Sequence, residues 1–401
     1  MKYIIVLGDG MADEPIESLG NQTPLQFART PNMDRLAKKG NTGLLATIPE
    51  GMSPGSEVAN LSVLGYNPAQ VLEGRGVLEA ASMGVDVLPG EMAMRCNLIC
   101  IENGKIKNHS AGHISNEEAE ILIHYLNEKF GNEHLQFFPG VSYRHLLKLR
   151  GGNKNLDCTP PHDVQGADFR KVLIHPLSSD SQTTADMLNE LIIQSQSLLE
   201  NHPVNQRRKA EGKDSANSIW PWSPGYKPQM KKLSEDYPIR TGAVISAVDL
   251  IKGIGIYAGL ESIKVVGATG LYNTNYEGKV QAALKALKEK DFVYLHIEAS
   301  DEAGHEGNVE LKIKTIEDID NRVLKPLMEE TEKWNEQVTI ALLPDHPTPC
   351  RIKTHSNSPV PFVIYKPGET ADEVTEFNEF SVQKGKYGLL KGNEFIKAFF
   401  G

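Results

Sequence analysis

The stretch Val338-Thr339-Ile340-Ala341-Leu342-Leu343 is followed at once by Pro344-Asp345-His346. A mostly apolar, partly β-branched run of this length predicts a strand over 337–343, buried on both faces as in a parallel sheet. Two other segments have the same form: 2–7 ends before Asp9, and 291–298 ends before Asp301. Because the carboxyl ends of parallel strands meet at one edge of an open α/β sheet, we expect these three aspartates to lie together.

Helical segments alternate with such runs, which predicts an α/β fold with a mostly parallel sheet and helices on both faces. Caps and 3.6-residue spacing predict helices over 31–39, 56–64, 182–200 and 309–331, the last with a kink at Pro326. Further strands are predicted over 170–175, 262–267 and 360–365.

The residues that could ligate metals fall into two blocks, 9–56 and 301–355. The stretch between these blocks has helices and strands of its own. The sequence therefore predicts a catalytic sheet domain of residues 1–84 and 241–401, interrupted by a smaller inserted α/β substrate domain of residues 85–240. Within the insert, 201–227 is predicted to be rich in loops.

Composition limits the function. The net charge is −10, from 52 acidic and 42 basic residues, which argues against a nucleic-acid partner. No apolar run is long enough to cross a membrane. The four cysteines form no CxxC pair, which favours a reduced, cytoplasmic setting. A small anionic substrate remains compatible with this charge, because such a site needs only local cations.

Carboxylate and imidazole side chains recur at the predicted strand ends. Asp301 and His305 are four residues apart, on one face of a helix, and could chelate one ion. Asp345-His346 lies in a loop stiffened by prolines, and His355 follows. Each residue alone has an ordinary interpretation, as a turn or capping aspartate or a surface histidine. The whole set favours a metal site, and mixed carboxylate and imidazole ligands suit Mn²⁺, Zn²⁺, Fe²⁺ or Co²⁺ better than Ca²⁺.

Ser56 follows the flexible turn 51–55 and is predicted to be the N-cap of the helix over 56–64. A hydroxyl at a helix N-terminus beside metal ligands is typical of a phosphoryl-transfer enzyme with a serine nucleophile. A purely structural capping role is compatible with the same position.

Several motifs, taken together, resemble the archaeal-type 2,3-bisphosphoglycerate-independent phosphoglycerate mutases, which belong to the alkaline phosphatase superfamily. These motifs are Leu7-Gly8-Asp9-Gly10-Met11-Ala12-Asp13, Thr30-Pro31-Asn32-Met33-Asp34-Arg35-Leu36-Ala37, Gly55-Ser56-Glu57-Val58-Ala59-Asn60-Leu61, Gly74-Arg75-Gly76-Val77-Leu78-Glu79-Ala80, Asp301-Glu302-Ala303-Gly304-His305 and Leu343-Pro344-Asp345-His346-Pro347-Thr348-Pro349. The resemblance covers nearly the full length. One departure is Glu57, where members of the family often have Asp.

The resemblance implies a phosphatase-like sheet domain with an inserted substrate domain, and two divalent ions, with Mn²⁺ first and Zn²⁺, Co²⁺ or Mg²⁺ as alternatives. It assigns one ion to Asp9, Ser56, Asp345 and His346, and the other to Asp301, His305 and His355. It also implies interconversion of 2- and 3-phosphoglycerate through a phosphoserine at Ser56. Two alternatives stay open: a related phosphotransferase such as a homoserine kinase, and a metal-binding scaffold without catalysis.

Candidates for binding the anionic substrate are taken from the predicted insert. They are His113, Arg144, His162, Asp163, Arg207 and Arg208. The alternative for Arg207-Arg208-Lys209 is a solvated charge run. The sequence leaves the oligomeric state open.

Overall fold

The structure is a computed structural model that describes residues 1–401. It divides into two compact units: unit 1 comprises residues 1–72 and 229–401, and unit 2 comprises residues 73–228. Both boundaries lie before those predicted at 84/85 and 240/241. The helix Arg75–Ser82 packs on the strand Glu91–Glu102, and so belongs to unit 2. The last strand of unit 2 already ends at Gly225. None of the helices combines the length and the apolar character that a membrane-spanning segment requires.

The first segment of unit 1 contributes two strands and four helices. They are β1 (Lys2–Gly8), α1 (Pro24–Phe27), α2 (Pro31–Lys39), β2 (Asn41–Ala46), α3 (Ser56–Val63) and α4 (Pro68–Val71). The predicted N-cap role of Ser56 is wrong, because Gly55 is the N-cap and Ser56 is the first helical residue. The backbone of Gly55 is extended, with φ −176° and ψ 155°, so the chain turns into the helix only at Ser56.

Unit 2 contains one substantial antiparallel sheet and four helices. Its elements are α5 (Arg75–Ser82), β3 (Glu91–Glu102), β4 (Lys105–Asn108), α6 (Asn116–Phe130), β5 (Leu135–Val141), β6 (Arg144–Arg150), β7 (Leu156–Asp157), β8 (His175–Pro176), α7 (Gln182–Glu200), α8 (Pro203–Ala210) and β9 (Ser218–Gly225). The strand order is β4-β3-β6-β5, with β9 paired to the long strand β3.

Two predictions within unit 2 are wrong. The segment 170–175 begins within a 3₁₀ turn, Phe169–Lys171, and stays irregular until the two-residue strand β8 begins at His175. The stretch predicted to be loop-rich contains α8 and β9. Pro221, Pro224 and both tryptophans lie in β9, where Trp220 and Trp222 are buried in the core of unit 2. In this segment, aromatic side chains between prolines therefore belong to a buried strand.

The second segment of unit 1 completes its sheet. Its elements are α9 (Leu233–Asp236), β10 (Gly242–Ile245), α10 (Asp249–Tyr257), β11 (Glu261–Ser262), α11 (Tyr276–Glu289), β12 (Phe292–Ile297), α12 (Ala299–Glu306), α13 (Val309–Asp318), α14 (Lys325–Thr331), β13 (Val338–Leu343), β14 (Val360–Tyr365), β15 (Gly388–Lys391) and α15 (Glu394–Phe400). The predicted strand over 262–267 is wrong beyond Ser262, because the chain turns at Gly267 with φ +75°.

The eight strands of unit 1 run in the order β11-β10-β12-β1-β13-β14-β2-β15. All neighbours are parallel except β14, which is antiparallel to both β13 and β2. Leu7 lies opposite His296 on β12 and Leu343 on β13. The mostly parallel α/β sheet is thus confirmed, and β1, β12 and β13 end level with one another at the same edge.

The predicted helix over 309–331 is helical throughout but not regular. A π-helical segment, Ile319–Leu324, joins α13 to α14 just before Pro326. The backbone N–H of Lys325 bonds to the carbonyl of Asp320, five residues back. Because proline has no N–H and its ring crowds the preceding turn, the widened turn accommodates it. The Asp320 side chain also accepts hydrogen bonds from the backbone N–H groups of Asn32 and Met33 at the start of α2.

Candidate active site

The carboxyl ends of β1, β12 and β13 bring together three buried aspartates. Asp9 follows β1, Asp301 lies in the first turn of α12 after β12, and Asp345 follows β13. Their exposed fractions are 1%, 5% and 0%. The expectation that these aspartates lie together therefore agrees with the geometry, and it follows from the level ends of three parallel strands.

The first group consists of Asp9, Asp345 and His346, whose ligand atoms lie within 4.8 Å of one another. The Nε2 atom of His346 is 3.5 Å from Asp9 Oδ1 and 3.5 Å from Asp345 Oδ2. It is also 3.1 Å from the hydroxyl oxygen of Ser56. Asp9 Oδ1 is buried and has no hydrogen-bond partner. Since a buried carboxylate oxygen without a donor is costly, this atom suits a cation.

The second group is built around Asp301. Its Oδ2 atom is 3.2 Å from His305 Nε2, and its Oδ1 atom is 3.4 Å from His355 Nε2. The two imidazole Nε2 atoms are 3.0 Å apart. The ring of His346 lies 4.0 Å from the ring of His355, so the two groups adjoin. Oxygen and nitrogen ligands in this arrangement fit two divalent transition ions.

The pKa shifts of the aspartates reflect the crowding of like charges. Burial, followed by the charges of Asp345 and Asp301, holds the pKa of Asp9 well above its usual range. Burial also opposes ionisation of Asp301, but hydrogen bonds with His305 and His355 hold its pKa below the usual range. In the protein without metal, imidazoles thus partly supply the positive charge that bound ions would provide.

A set of buried hydrogen bonds orients the candidate ligands. Asn60, one turn after Ser56, donates to the Ser56 carbonyl at 2.8 Å and to Asp345 Oδ2 at 2.9 Å. Tyr294 donates to Asn60 Oδ1 at 2.5 Å. The ring of His296 lies between Asp9 Oδ2, at 3.0 Å, and the Ser246 hydroxyl, at 3.1 Å. Side chains of this kind fix the orientation of metal ligands.

Sequence reasoning missed Asn60, Tyr294, His296 and also Glu298, which forms a third close group with Asp9 and Asp301. A signal existed for two of them. Tyr294 and His296 are polar side chains two residues apart in a buried strand, and so point to one face. Burial raises the pKa of Glu298 to about 8, and the charge of Asp301 adds to that effect.

The residues of unit 2 that were predicted to bind an anion lie in two separate regions of that unit. Arg208 is only 3% exposed, and its guanidinium donates to Glu118 at 2.5 Å, to the Ala111 carbonyl at 2.7 Å and to the Asp214 carbonyl at 2.8 Å. Arg207 bonds the same Glu118 at 3.0 Å from the surface. Protein acceptors therefore engage Arg208, which corrects its prediction as an anion ligand, and Arg208 is also not part of a solvated charge run. Arg207 and Lys209 remain at the surface, in agreement with the charge-run alternative for these two residues.

His162 and Arg144 lie instead around Arg95, a buried residue in the middle of β3. Burial lowers the pKa of Arg95; Glu79 opposes this effect, whereas Arg144 adds to it. The guanidinium stacks 4.9 Å from the Trp222 ring, which the His162 ring approaches at 5.6 Å. Arg95 Nε is buried without a partner. A desolvated guanidinium with an unused donor is typical of an anion site.

Further imidazoles adjoin this place. The His109 ring is 6.0 Å from that of His162, and His109 Nδ1 is buried without a partner. His113 lies 6.2 Å from the Tyr143 ring, which His109 also contacts. Asp163 is exposed, with Oδ1 3.6 Å from His162 Nε2. Sequence reasoning missed Arg95 and His109, although an arginine within the apolar run Met92-Ala93-Met94-Arg95-Cys96 is itself unusual.

Several known proteins are similar to this chain in sequence and in fold. A family model described as 2,3-bisphosphoglycerate-independent phosphoglycerate mutase matches residues 37–205. A protein of that description from Methanosarcina mazei is 52% identical over 99% of this chain and 98% of its own length. The solved structure of a protein from Pyrococcus horikoshii has a TM-score of 0.83 at 32% identity, covering 99% of this chain and 96% of its own. A cofactor-independent phosphoglycerate mutase from Thermoplasma acidophilum has a TM-score of 0.70 at 27% identity, covering 100% and 99%.

We expect metal binding to release a proton from His305. Its hydrogen bond with Asp301 raises the pKa of His305 to about 9, so at neutral pH the ring is protonated in the metal-free protein. A ligating imidazole must be neutral, and metal affinity should therefore rise with pH up to about that pKa. Calorimetric titration with Mn²⁺ in buffers of different ionisation enthalpy measures the number of protons that the protein releases when the metal binds. His305→Gln should lower it and the exposed control His124→Gln should not; an unchanged count in His305→Gln would contradict the assignment.

We expect Arg208→Ala to destabilise unit 2 and Arg207→Ala to leave it nearly unchanged. Removing Arg208 leaves Glu118 and two carbonyls without their buried donor. This loss should lower the free energy of unfolding by about 3 kcal/mol. The Arg207 side chain is 56% exposed, and such pairs contribute at most about 1 kcal/mol. Urea unfolding of the two variants compares them directly. Equal unfolding midpoints would refute the structural role of Arg208.

Proposed function

The chain belongs to the 2,3-bisphosphoglycerate-independent phosphoglycerate mutases, and on that premise we propose that it interconverts 2- and 3-phosphoglycerate through a phosphoserine at Ser56. The observation that carries this proposal is the position of the Ser56 hydroxyl. It lies at the first residue of α3 and 3.1 Å from His346 Nε2. Free backbone N–H groups in the first turn of a helix favour a negatively charged oxygen or a phosphate.

We propose that two divalent ions bind beside Ser56. Asp9, Ser56, Asp345 and His346 would hold one, and Asp301, His305 and His355 would hold the other. Mn²⁺ comes first among the candidates, with Zn²⁺, Co²⁺ and Mg²⁺ as alternatives. When bound, such ions lower the pKa of a ligating hydroxyl and neutralise charge on a transferring phosphoryl group. The unpartnered Asp9 Oδ1 supports this assignment.

In the proposed reaction, Ser56 Oγ attacks the phosphorus of the substrate and the bond from phosphorus to the glycerate oxygen breaks. The phosphoryl group then resides on Ser56 and the glycerate carries the freed hydroxyl. After reorientation, the other hydroxyl of the glycerate attacks the phosphoserine and restores the Ser56 hydroxyl. No atom is gained or lost overall, so the reaction is an isomerisation and needs no bisphosphoglycerate.

We propose that unit 2 binds the anionic groups of the glycerate at the place centred on Arg95. Arg144, His109 and His162 would join it there, with His113 close by. Burial lowers the pKa of His162, and neighbouring His109 and Arg95 add to that effect against the opposing charge of Asp163. Glu79 lies 3.2 Å from Arg95 Nη1, but Arg95 Nε stays without a partner. This free donor and the Arg144 guanidinium could form charge-assisted hydrogen bonds with a carboxylate or phosphate.

We expect Ser56→Ala to abolish mutase activity while the protein stays folded. The nucleophilic oxygen is then absent, and an alanine cannot carry a phosphoryl group. The assay follows conversion of 3- to 2-phosphoglycerate with Mn²⁺ and no bisphosphoglycerate; acid quenching and peptide mass analysis seek the phosphoserine. Ser62→Ala, on the same helix, is the matched control. Wild-type turnover in Ser56→Ala would reject the nucleophile, and phosphorylation of homoserine by ATP without mutase activity would favour the kinase alternative.

We expect Arg144→Ala to raise KM for phosphoglycerate without changing the metal content. A charge-assisted hydrogen bond is worth roughly 1.5–3 kcal/mol, which corresponds to about a tenfold to hundredfold loss in kcat/KM. Arg150→Ala is the matched control, because Arg150 ends the same strand, β6, with a side chain 53% exposed. Equal kinetics in both variants would exclude Arg144 from the substrate site.

A further inference from the structure

Thr348 lies in the loop after β13 and is fully buried, yet it is not one of the proposed ligands. Its hydroxyl oxygen is 2.5 Å from Asp301 Oδ1 and 3.2 Å from His346 Nδ1. Asp301 belongs to one proposed metal group and His346 to the other. A single hydroxyl therefore contacts one residue of each group.

Hydrogen-bond chemistry determines the direction of these two contacts. An ionised carboxylate can only accept, so the one hydroxyl proton of Thr348 goes to Asp301. The hydroxyl oxygen then has only lone pairs left for His346, and His346 must supply the proton from Nδ1. With the proton on Nδ1, the lone pair of the neutral ring lies on Nε2. That atom faces Asp9, Asp345 and Ser56.

The backbone of Thr348 is held firmly, so the hydroxyl does not depend on a mobile loop. Its carbonyl accepts a hydrogen bond of 2.8 Å from Lys312 Nζ, and Lys312 is fully buried. The same ammonium group donates to the Ala12 carbonyl at 3.0 Å and to Asp13 Oδ2 at 2.8 Å. Helix α12 also packs closely here, because a Cβ on Gly304 would lie 2.3 Å from the Thr348 carbonyl oxygen.

We propose that Thr348 is a positioning residue that fixes the Nδ1–H tautomer of His346 and thereby links the two metal groups. It acts through His346 and Asp301 and touches no reacting atom. The inference rests on the metal-binding part of the proposed function. It also goes beyond that function, because it explains why a hydroxyl, rather than another carboxylate, stands between the two groups.

The test compares Thr348→Val, which keeps the shape and removes the hydroxyl, with Thr348→Ser, which keeps the hydroxyl. Calorimetric titration with Mn²⁺ alone measures affinity without reference to activity. Loss of a side chain that orients a ligand weakens metal binding by about tenfold to a hundredfold. We expect that loss in Thr348→Val and near wild-type affinity in Thr348→Ser. Thr331→Val is the matched control, because the Thr331 hydroxyl is buried but donates only to backbone carbonyls.

A second measurement reports the tautomer directly. Long-range proton–nitrogen spectra of the metal-free protein distinguish a proton on Nδ1 from one on Nε2, and His346→Gln identifies the resonance. We expect the proton on Nδ1 in the wild type and in Thr348→Ser, and its loss from that position in Thr348→Val. Thr348→Ala, which cannot overfill the site, replaces Thr348→Val should the latter unfold.

The outcomes separate this inference from the proposed function. Wild-type Mn²⁺ affinity in both Thr348→Val and Thr348→Ala overturns the role of Thr348, whatever the mutase assay shows. Equal weakening in Thr348→Ser also overturns it, because the hydroxyl is then not what matters. A wild-type protein that binds two ions but lacks mutase activity contradicts the function and leaves the inference intact.

Discussion

The repulsion between three buried carboxylates is the constraint around which unit 1 is arranged. Asp9, Asp301 and Asp345 lie at the ends of adjacent strands, where the dielectric is low and water is scarce. Like charges in such a place raise one another's pKa or require a cation. Imidazoles, buried hydrogen bonds and a buried lysine lie around them, and these groups keep the carboxylate oxygens in place.

The supporting contacts come from both segments of the unit 1 sequence. Asn60 joins the helix of Ser56 to Asp345, and Tyr294 in turn holds Asn60. Lys312 joins the loops after β1 and β13. Because these groups are satisfied by one another, a change at one should alter the orientation of several ligands. The geometry of the site is thus a property of the network and not of its ligands alone.

The sequence predicted the parts of the fold that depend on local pattern. The apolar runs that became β1, β12, β13 and β14 could be recognised, as could the helices α2 and α7. It failed where tertiary packing prevailed, as in β9, whose prolines suggested a loop. Likewise, Ser56 and Asp301 were accessible to motif reasoning, but Arg95 and Thr348 were not. Their importance follows from their burial and from the groups that their unpaired or shared polar atoms face. The spacing of residues along the sequence shows neither property.

The level ends of β1, β12 and β13 have a further consequence for synthesis of the chain. Asp9 leaves the ribosome long before Asp345 and His355, because all of unit 2 and most of the second segment of unit 1 lie between them in the sequence. Unit 2 is continuous in sequence and has its own core, so all of its contacts are available when residue 228 has emerged. The central strand β1 then still lacks both neighbours. A nascent chain that lacks β13 cannot bring the three aspartates together, so the proposed metal groups can form only after β12 and β13 have both been translated.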